Sequence, residues 1–526
     1  MNMNNNLQIN VFETSDVHGH IMPHRYRTED DLPLGLAKIN TLLKKEREQN
    51  LHLFVIDNGD LIQGTPLTTY VSKRDNSKQH PLIRAANIVG YDAAIMGNHE
   101  FNFGIQTLNQ AVKDSSFPWL AANILNSETG ECYFGTPYLV KEFEGAKVAL
   151  LGLTTQYIPN WEDPNHIEGL IFKDCVDTAK KWVPYIREHE QPDVLIVSYH
   201  GGFERNPVTG EPEEKETGEN QGYALCHEVD GIDLLLTGHQ HRLLTGTCGD
   251  VPILQPGSFG STVGKATIQL EKQENRWTIS SVHTELVELS DTEADSEVVE
   301  ATKEIEQEVQ DWLDEPIGFV EGSLQIDDAF HVRLKEHPFI EFINKVQMEA
   351  SQTAISSTAL FDNTSKGFPD TITIRDVMSN YIYPNTLKVL EVSGYDLKAA
   401  LERSARYFML TEGEPEINPD FLYPKPQHYN YDMWEGINYT IDLRNPEGER
   451  VVQLEDASGK PIKDDQTYEV VMSNYRASGG GEYSMFKDKP VVREMQDDMT
   501  DLIIQYVQKY KTISSNVNHN WKVIWK

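Results

Sequence analysis

Basic residues are scarce in this chain of 526 residues. It has 46 Lys and Arg residues against 82 Asp and Glu residues, which gives a formal net charge of -36 at pH 7. A surface of this sign repels phosphate backbones and anionic lipid headgroups. We therefore expect no stable binding of nucleic acid and no attachment to a membrane surface.

Paired cysteines, long apolar runs and an export signal are also lacking. The four cysteines are scattered, without the spacing of a structural zinc site, which is typical of reduced thiols in the cytosol. No apolar run approaches the roughly 20 residues that a membrane span requires. The start, Met1 to Asn6, has neither the basic region nor the apolar core of a secretory signal. The sequence therefore predicts a soluble, cytoplasmic protein.

The length exceeds what one hydrophobic core usually serves, so two domains are expected. Short apolar runs alternate with helical patterns as far as about residue 270, which is typical of a layered α/β domain. A long helix is predicted from Ser296 to about Leu313, and mixed strand and helix patterns follow. The predicted division is a first domain at 1–290, a helical linker at 291–336 and a smaller α+β domain at 337–526.

Polar residues follow five predicted strands of the first domain, at the point where each strand ends. These residues are Asp16 and His18, Asp60, Asn98 with His99, His200, and His239 with His241. Open α/β sheets bind their ligands at the carboxyl ends of their strands, so these side chains are expected to meet. Each residue alone has a simpler explanation, such as a turn cap or a surface histidine. A fivefold repetition of the pattern instead predicts a shared site.

The donor set indicates a metal centre. Carboxylate, amide and imidazole donors without a cysteine pair argue against a closed structural zinc site and favour manganese, zinc, iron or cobalt. If Asp60 bridges, two divalent ions can lie roughly 3.5 to 4 Å apart and acidify a water, so that no protein nucleophile is needed. One ion is then expected to take Asp16, His18 and His241, and the other Asn98, His200 and His239.

These motifs, in this order, resemble those of the calcineurin-like metallophosphoesterases, and the long second domain makes the chain similar to their 5'-nucleotidase family. The resemblance extends over nearly the whole chain. It implies a four-layer αββα catalytic sandwich followed by a smaller mixed α+β substrate-binding domain. It also implies that Asn98 and His99 act in catalysis, with His99 contacting the phosphate and assisting departure of the leaving oxygen.

The second domain of this family holds the nucleobase between two aromatic rings. The matching residues are Tyr383, in the segment that also contains Pro384, and Tyr475, which precedes Gly479 and Gly480. Stacking tolerates any base, so a broad range of nucleotides is expected. The two glycines would let the backbone approach the ligand, although an ordinary loop is the alternative.

Departures from the family pattern narrow the expected substrate. Members that cleave 5'-monophosphates carry a phosphate-binding Arg where this chain has 356–361 without arginine, and an Asp at the place of Asn102. The branch that hydrolyses 2',3'-cyclic nucleotides resembles this chain at Asn102 and around Tyr383. A neutral amide at Asn102 can orient the His99 ring but brings no charge of its own.

The sequence therefore predicts an enzyme that opens 2',3'-cyclic nucleotides to 3'-nucleotides and then removes the 3'-phosphate. One alternative is a 5'-nucleotidase or nucleotide-sugar hydrolase, and another is an inactive nucleotide-binding module. Two remaining tracts are expected to be structural. The acidic insert 211–219 is predicted to be a solvated loop, and the aromatic tract 422–439 is predicted to pack between the domains.

Overall fold

The computed structural model describes residues 5–24, 26, 31–74, 79–160, 162–213, 216–274, 276–383, 385–423, 426–495 and 497–526. The first four residues of the chain, Pro384, and parts of the two tracts expected to be structural (214–215 and 424–425) lie outside these residues. The chain forms two compact units, Met1–Val309 and Gln310–Lys526.

The first unit contains fourteen described strands, six described α-helices and most of a seventh. The strands are β1 (Asn6–Thr14), β2 (Leu53–Asp57), β3 (Ala93–Ile95), β4 (Trp119–Leu120), β5 (Ile124–Asn126), β6 (Tyr138–Phe143), β7 (Ala146–Thr154), β8 (Leu170–Phe172), β9 (Val194–His200), β10 (Leu234–Thr237), β11 (Leu243–Cys248), β12 (Val251–Pro256), β13 (Thr262–Gln273) and β14 (Arg276–Glu288). The helices are α1 (Leu36–Gln49), α2 (Pro66–Arg74), α3 (Pro81–Val89), α4 (Gly104–Asp114), α5 (Cys175–His189), α6 (Gly222–Glu228) and α7 (Ser296–Leu313).

Two six-stranded sheets form the centre of this unit, in the orders β14-β13-β1-β2-β3-β4 and β11-β12-β10-β9-β7-β6. Strands β1 to β4 run parallel to one another, as do β7, β9, β10 and β12. The ligand-bearing ends of β1, β2 and β3 therefore share one edge of the first sheet, and those of β9 and β10 share one edge of the second.

The hydrophobic core lies between the two sheets. Successive side chains of a strand point to opposite faces of its sheet, so every second residue faces this core. Leu7, Ile9 and Val11 of β1 point into the same buried cluster as Ile196 of β9 and Leu236 of β10. The alternate residues of the second sheet are also apolar and pack against helices, including α5. Strands with two apolar faces are what a sheet covered on both sides requires.

Helix α1 belongs to the layer outside the first sheet. Glu46 of α1 lies 3.5 Å from Lys265 of β13, whose ammonium group in turn lies 5.7 Å from the ring centre of Phe12. Leu36, Ile39 and Leu43 are spaced three and four residues apart, which places them on one face of α1, and all three are fully buried. The αββα sandwich is confirmed.

The second unit is mixed, as predicted. Its strands are β15 (Pro316–Glu321), β16 (Leu324–Gln325), β17 (Ile355–Ala359), β18 (Gly367–Phe368), β19 (Thr371–Thr373), β20 (Leu387–Ser393), β21 (Phe408–Thr411), β22 (Glu414–Ile417), β23 (Asp432–Glu435), β24 (Ile437–Asp442), β25 (Val451–Asp456), β26 (Thr467–Ser473), β27 (Val491–Glu494), β28 (Thr512–Ser514) and β29 (Trp521–Ile524). Its helices are α8 (Ala329–Leu334), α9 (Pro338–Ser351), α10 (Ile374–Asn380), α11 (Gly394–Ala405), α12 (Asn474–Ala477) and α13 (Met499–Tyr510).

A five-stranded sheet, β23-β17-β26-β20-β27, organises this unit, and α9 packs against its strands. Helix α11 begins with a capping box: the Ser393 hydroxyl accepts from Asp396 N at 3.2 Å, and Asp396 Oδ2 accepts from Ser393 N at 2.9 Å. Two otherwise unpaired backbone donors are satisfied in this way, which explains why the helix starts there.

The predicted linker helix is present as α7, and the division between the compact units falls within it. Asp295 caps it, because its Oδ1 accepts from Glu297 N at 3.1 Å and from Val298 N at 3.2 Å. The rest of the predicted linker 291–336 contains β15, β16 and α8 of the second unit. The predicted limits 1–290, 291–336 and 337–526 stay a proposal for the functional domains.

Candidate active site

The seven predicted metal ligands come together at the strand ends of the first unit. Five of them have left-handed backbone angles: Asp16 (φ 53°), His18 (49°), Asp60 (57°), His239 (66°) and His241 (57°). This conformation is uncommon for residues other than glycine, and it persists only where the surrounding structure enforces it. Such a concentration of strained residues is a mark of a functional site.

Asp16, His18 and His241 form the first group. The Nε2 atoms of His18 and His241 are 3.0 Å apart, and Asp16 Oδ1 lies 3.4 Å from His241 Nε2 and 3.9 Å from His18 Nε2. Asp16 is fully buried, and its carboxylate also accepts a hydrogen bond from His239 N at 3.0 Å. Three donor atoms therefore face one small volume.

Asn98, His200 and His239 form the second group, and Asp60 lies between the two. Asn98 Oδ1 is 3.1 Å from His200 Nε2 and 2.8 Å from His239 Nδ1. Asp60 Oδ2 is 3.2 Å from His200 Nε2 and 3.9 Å from His18 Nε2. Asp60 Oδ2 thus lies within 4 Å of a histidine nitrogen in each group. The division of the ligands between two ions stays a prediction.

The histidine tautomers fit a metal centre. His18 Nδ1 faces Gln63 O at 3.2 Å, and His200 Nδ1 faces Asn58 O at 2.6 Å. His239 Nε2 faces Glu219 Oε1 at 3.1 Å. Because each outer nitrogen donates to an oxygen, the inner nitrogen of each ring is the one available to coordinate a metal. That is the arrangement that metal-binding histidines adopt.

The electrostatics of the site point the same way. Burial lowers the pKa of His18 to about 3, which keeps its ring neutral. At His200 burial also opposes the charge, but the carboxylates of Asp60, Asp16 and Glu100 together outweigh it and raise the pKa to about 10. The site thus stabilises positive charge next to Asp60, and a cation bound there would replace the His200 proton.

Glu100 connects the loop after β2 to the loop after β3, a role that the sequence does not predict. Its buried carboxylate accepts hydrogen bonds from Gly97 N (2.7 Å), Asp60 N (2.8 Å) and Leu61 N (2.6 Å). A side chain at Gly97 would collide with Asp60 Oδ1 and Asp60 N. Glu100 directly follows His99 in the sequence, but its partners at Asp60 and Leu61 are about 40 residues away, so no local pattern reveals them.

His99 lies beside the first ligand group, with its ring centre 5.1 Å from that of His18. Its backbone N donates to Asp60 Oδ1 at 2.8 Å, and its Nδ1 is 2.6 Å from Asn102 Oδ1. Asn102 Nδ2 in turn donates to Glu162 Oε2 at 2.6 Å. The predicted contact between Asn102 and His99 is present, and the Glu162 carboxylate binds the other side of the Asn102 amide.

Glu219 also reaches the site, through its contact with His239. It ends the acidic insert 211–219, which the sequence analysis assigned to solvent. That assignment is wrong for Glu219, because the loop after β9 returns towards its own strand end: the Tyr199 hydroxyl donates to Glu219 O at 3.1 Å. The polar composition of the insert concealed this return.

Tyr383 and Tyr475 lie in the second unit, and both contact the same third ring. Tyr429 lies 6.1 Å from Tyr383 and 6.2 Å from Tyr475 between ring centres, edge-on to each. Tyr383 is 38% exposed, as a stacking residue requires. Tyr429 belongs to the tract that the sequence predicts to pack between the domains. Tyr431 and Trp434 of that tract are instead buried against Phe408 and Phe486 of this unit.

Gly479 and Gly480 shape the loop next to Tyr475. Gly479 has a φ of 91°, and a side chain on Gly480 would approach within 2.6 Å of the Tyr475 ring. The nearby Arg476 is occupied by Asp432, to which it donates two hydrogen bonds of 2.9 Å. The glycines therefore let this loop close over Tyr475.

Comparison with known proteins agrees with this geometry. The sequence matches the calcineurin-like phosphoesterase family over residues 9–243 and the 5'-nucleotidase C-terminal domain family over residues 316–488. A fold and a site of this kind define a metal-dependent phosphoesterase. The chain belongs to the 5'-nucleotidase family of calcineurin-like metallophosphoesterases.

Three relatives illustrate the range of this family. The trifunctional nucleotide phosphoesterase protein YfkN of Bacillus subtilis is 27% identical over 98% of this chain, which spans 39% of its length. A 2',3'-cyclic-nucleotide 2'-phosphodiesterase/3'-nucleotidase of Salmonella typhimurium is 28% identical over 90% of this chain and 82% of its own. A Staphylococcus aureus protein described as a 5'-nucleotidase and crystallised with alpha-ketoglutarate superposes with a TM-score of 0.89 at 36% identity, over 98% of this chain and 100% of its own.

Within the part of the chain that the structure describes, no helix combines the length and the apolar character needed to cross a membrane.

Proposed function

We propose that this enzyme hydrolyses 2',3'-cyclic nucleotides to 3'-nucleotides and then to nucleosides, using two divalent ions. The observation that carries the proposal is the pair of ligand groups on either side of Asp60. Manganese, zinc, iron or cobalt suits the mixed nitrogen and oxygen donors. Asp16, His18 and His241 would hold one ion, Asn98, His200 and His239 the other, with Asp60 serving both.

When bound, two such ions supply an acidified water and neutralise charge on the phosphate. The chain's own residues hold the reacting groups in place. Asp60 Oδ1 fixes the backbone of His99, and Glu100 holds together the two loops that carry these residues. His99 Nε2 is the ring nitrogen left to contact the phosphate and the leaving oxygen, because Nδ1 is bonded to Asn102.

The second unit is proposed to select nucleotides through stacking. Tyr383 and Tyr475 would hold the base, and Gly479 and Gly480 would let the backbone approach it. Each stacked base contributes roughly 1 to 3 kcal/mol and needs no particular base identity. The contacts of Tyr429 with both rings support its inclusion in this site.

Two features support the cyclic substrate over a 5'-monophosphate. Asn102 occupies the position where 5'-nucleotidases have an Asp, and segment 356–361 contains no arginine for the phosphate. The similarity to the Salmonella cyclic-nucleotide enzyme supports the same choice. The intact set of seven ligands favours an enzyme over an inactive binding module. The four free cysteines are in accord with a reducing compartment, for which we propose the cytosol.

A 5'-nucleotidase or nucleotide-sugar hydrolase is the second candidate, and the likeness to the Staphylococcus aureus protein favours it. A substrate panel with added manganese separates the two candidates. We expect 2',3'-cyclic AMP and 3'-AMP to be hydrolysed faster than 5'-AMP or a nucleotide sugar, measured as kcat/KM. Faster hydrolysis of 5'-AMP contradicts the proposal, and no activity on any nucleotide with fewer than one ion per chain favours a binding module.

A further inference from the structure

A chain of hydrogen bonds leads away from His99 into the loop after β7. His99 Nδ1 and Asn102 Oδ1 are 2.6 Å apart, and Asn102 Nδ2 donates to Glu162 Oε2 at 2.6 Å. We propose that Glu162 is a positioning residue that acts on His99 through Asn102. The inference rests on the proposed function, in which His99 contacts the phosphate and the leaving oxygen.

The chemistry of the three groups gives the chain a direction. An ionised carboxylate only accepts hydrogen bonds, so Glu162 holds the NH2 group of Asn102 towards itself. The amide oxygen must then face His99, which requires a hydrogen on His99 Nδ1. This leaves His99 Nε2 as the nitrogen that faces the substrate. Asn102 alone cannot set this direction, because an amide turned by 180° would present a donor to the ring.

Glu162 is itself held firmly. Its side chain is 7% exposed, and its two oxygens have separate partners. Oε1 accepts from Asp163 N at 2.9 Å and lies 2.9 Å from His166 Nδ1, both within its own loop. Oε2 is left for Asn102. The carboxylate thus joins the loop 155–169 to the residue that orients His99.

The sequence predicts that the Asn102 amide brings no charge of its own to His99, and the structure adds a carboxylate on the far side of that amide. In relatives with an Asp at position 102 the carboxylate would touch the imidazole directly. Here the carboxylate of Glu162 contacts Asn102, and the neutral amide of Asn102 contacts the His99 ring. Exchanging the two groups, Asn102→Asp together with Glu162→Gln, conserves the total charge and the hydrogen bond between the positions.

This exchange provides the test. Glu162→Gln leaves the amide of Asn102 free to turn, so we expect kcat for 2',3'-cyclic AMP to fall about tenfold or more with little change in KM. Asn102→Asp alone places two carboxylates in contact and is also expected to reduce kcat. In the double variant, the carboxylate introduced at position 102 accepts from His99, and the amide introduced at position 162 donates to that carboxylate. The kcat of the double variant should therefore recover to well above that of either single variant.

Glu168→Gln, an exposed position in the same loop, is the matched control and should keep the kcat of the unmodified protein. Thermal unfolding and manganese content identify any variant that fails through folding. The inference is overturned if Glu162→Gln matches the control. It is equally overturned if the double variant folds and binds manganese normally yet is no faster than Glu162→Gln. The unmodified protein failing to hydrolyse any nucleotide would instead overturn the proposed function.

Discussion

Asp60 is the residue on which the proposed metal centre depends. Its Oδ2 lies 3.2 Å from His200 and 3.9 Å from His18, so this carboxylate is within reach of both ligand groups. Its Oδ1 has a second task, accepting the backbone hydrogen bond of His99. Asn has the shape of Asp but no charge, so replacing Asp60 with Asn distinguishes the effect of the charge from the effect of the hydrogen bond to His99.

We predict that Asp60→Asn reduces the manganese content from two ions per chain to one or none and lowers kcat by about 100-fold or more. The lost charge is the reason, since Asn can still accept from His99 N. Elemental analysis after dialysis measures the metal, and hydrolysis of 2',3'-cyclic AMP measures the activity.

Asp57→Asn is the matched control for that variant. Asp57 is as buried as Asp60 and ends strand β2, which Asp60 follows, and burial raises the pKa of its carboxyl well above the ordinary value. Its carboxylate accepts from the Thr14 hydroxyl at 2.6 Å and from Gly59 N at 3.1 Å rather than facing the ligand groups. Two ions retained in Asp60→Asn would refute the bridging role.

At the level of elements, the ends of the strands were predictable and their partners were not. Short apolar runs identify β1, β2, β3, β9 and β10, and the polar residues that follow them are the predicted ligands. The contacts of Glu100, Glu162 and Glu219 join residues that are distant in sequence, or loops whose composition resembles solvated surface. Local patterns contain no information on such pairs, since only the folded chain brings them together.

The residue at which a helix begins could likewise be predicted from its capping residues. The sequence predicts a turn at Ser393 and Gly394 followed by a helix as far as Phe408, and the structure has α11 over Gly394–Ala405, so the helix ends three residues before Phe408. Phe408 instead begins β21, pairing with Ile417. The start is decided by side chains next to it in sequence, whereas the end is decided by a strand partner further along.

We predict that Ser393→Ala lowers the free energy of unfolding of the second unit by about 1 kcal/mol, because Asp396 N loses its side-chain acceptor. Chemical denaturation followed by circular dichroism measures the change. Ser484→Ala, at an exposed serine of the same unit, is the control and should stay within about 0.5 kcal/mol of the unmodified protein. Equal effects of the two substitutions would show that the capping box contributes nothing.

For the whole molecule, pH dependence of stability is expected from an acidic cluster in the second unit. Glu336, Glu341 and Glu435 bring carboxylate oxygens within 4.8 Å of one another. Lys345 lies 2.6 Å from Glu341, and Asn518 Nδ2 donates to Glu435 at 2.8 Å. Burial is the main cause that raises the pKa of Glu435 from its ordinary 4.5 to about 7.

Between pH 4.5 and about pH 7 the folded protein binds more protons at Glu435 than the unfolded chain does. The contribution of Glu435 to stability is therefore lost as the pH rises through this range. We predict that Glu435→Gln stabilises the second unit at pH 8 by about 1 to 3 kcal/mol and has little effect near pH 5. Differential scanning calorimetry at several pH values measures this.

Glu349→Gln is the matched control for that prediction. Glu349 lies on helix α9, and its pKa is lowered through a hydrogen bond from Lys509, so its neutralisation should bring no gain at pH 8. A Glu435→Gln variant with the same pH profile as the unmodified protein would contradict the prediction.

The distribution of ligands over the two sheets has a mechanical consequence. Asp16, His18, Asp60 and Asn98 follow strands of one sheet, whereas His200, His239 and His241 belong to the other. Each ligand group therefore draws on both sheets, and any ion held by such a group fastens one layer of the sandwich to the next. In a chain whose four cysteines are all free, ions bound as proposed would also act as cross-links between the two sheets, in addition to the apolar core that the sheets share.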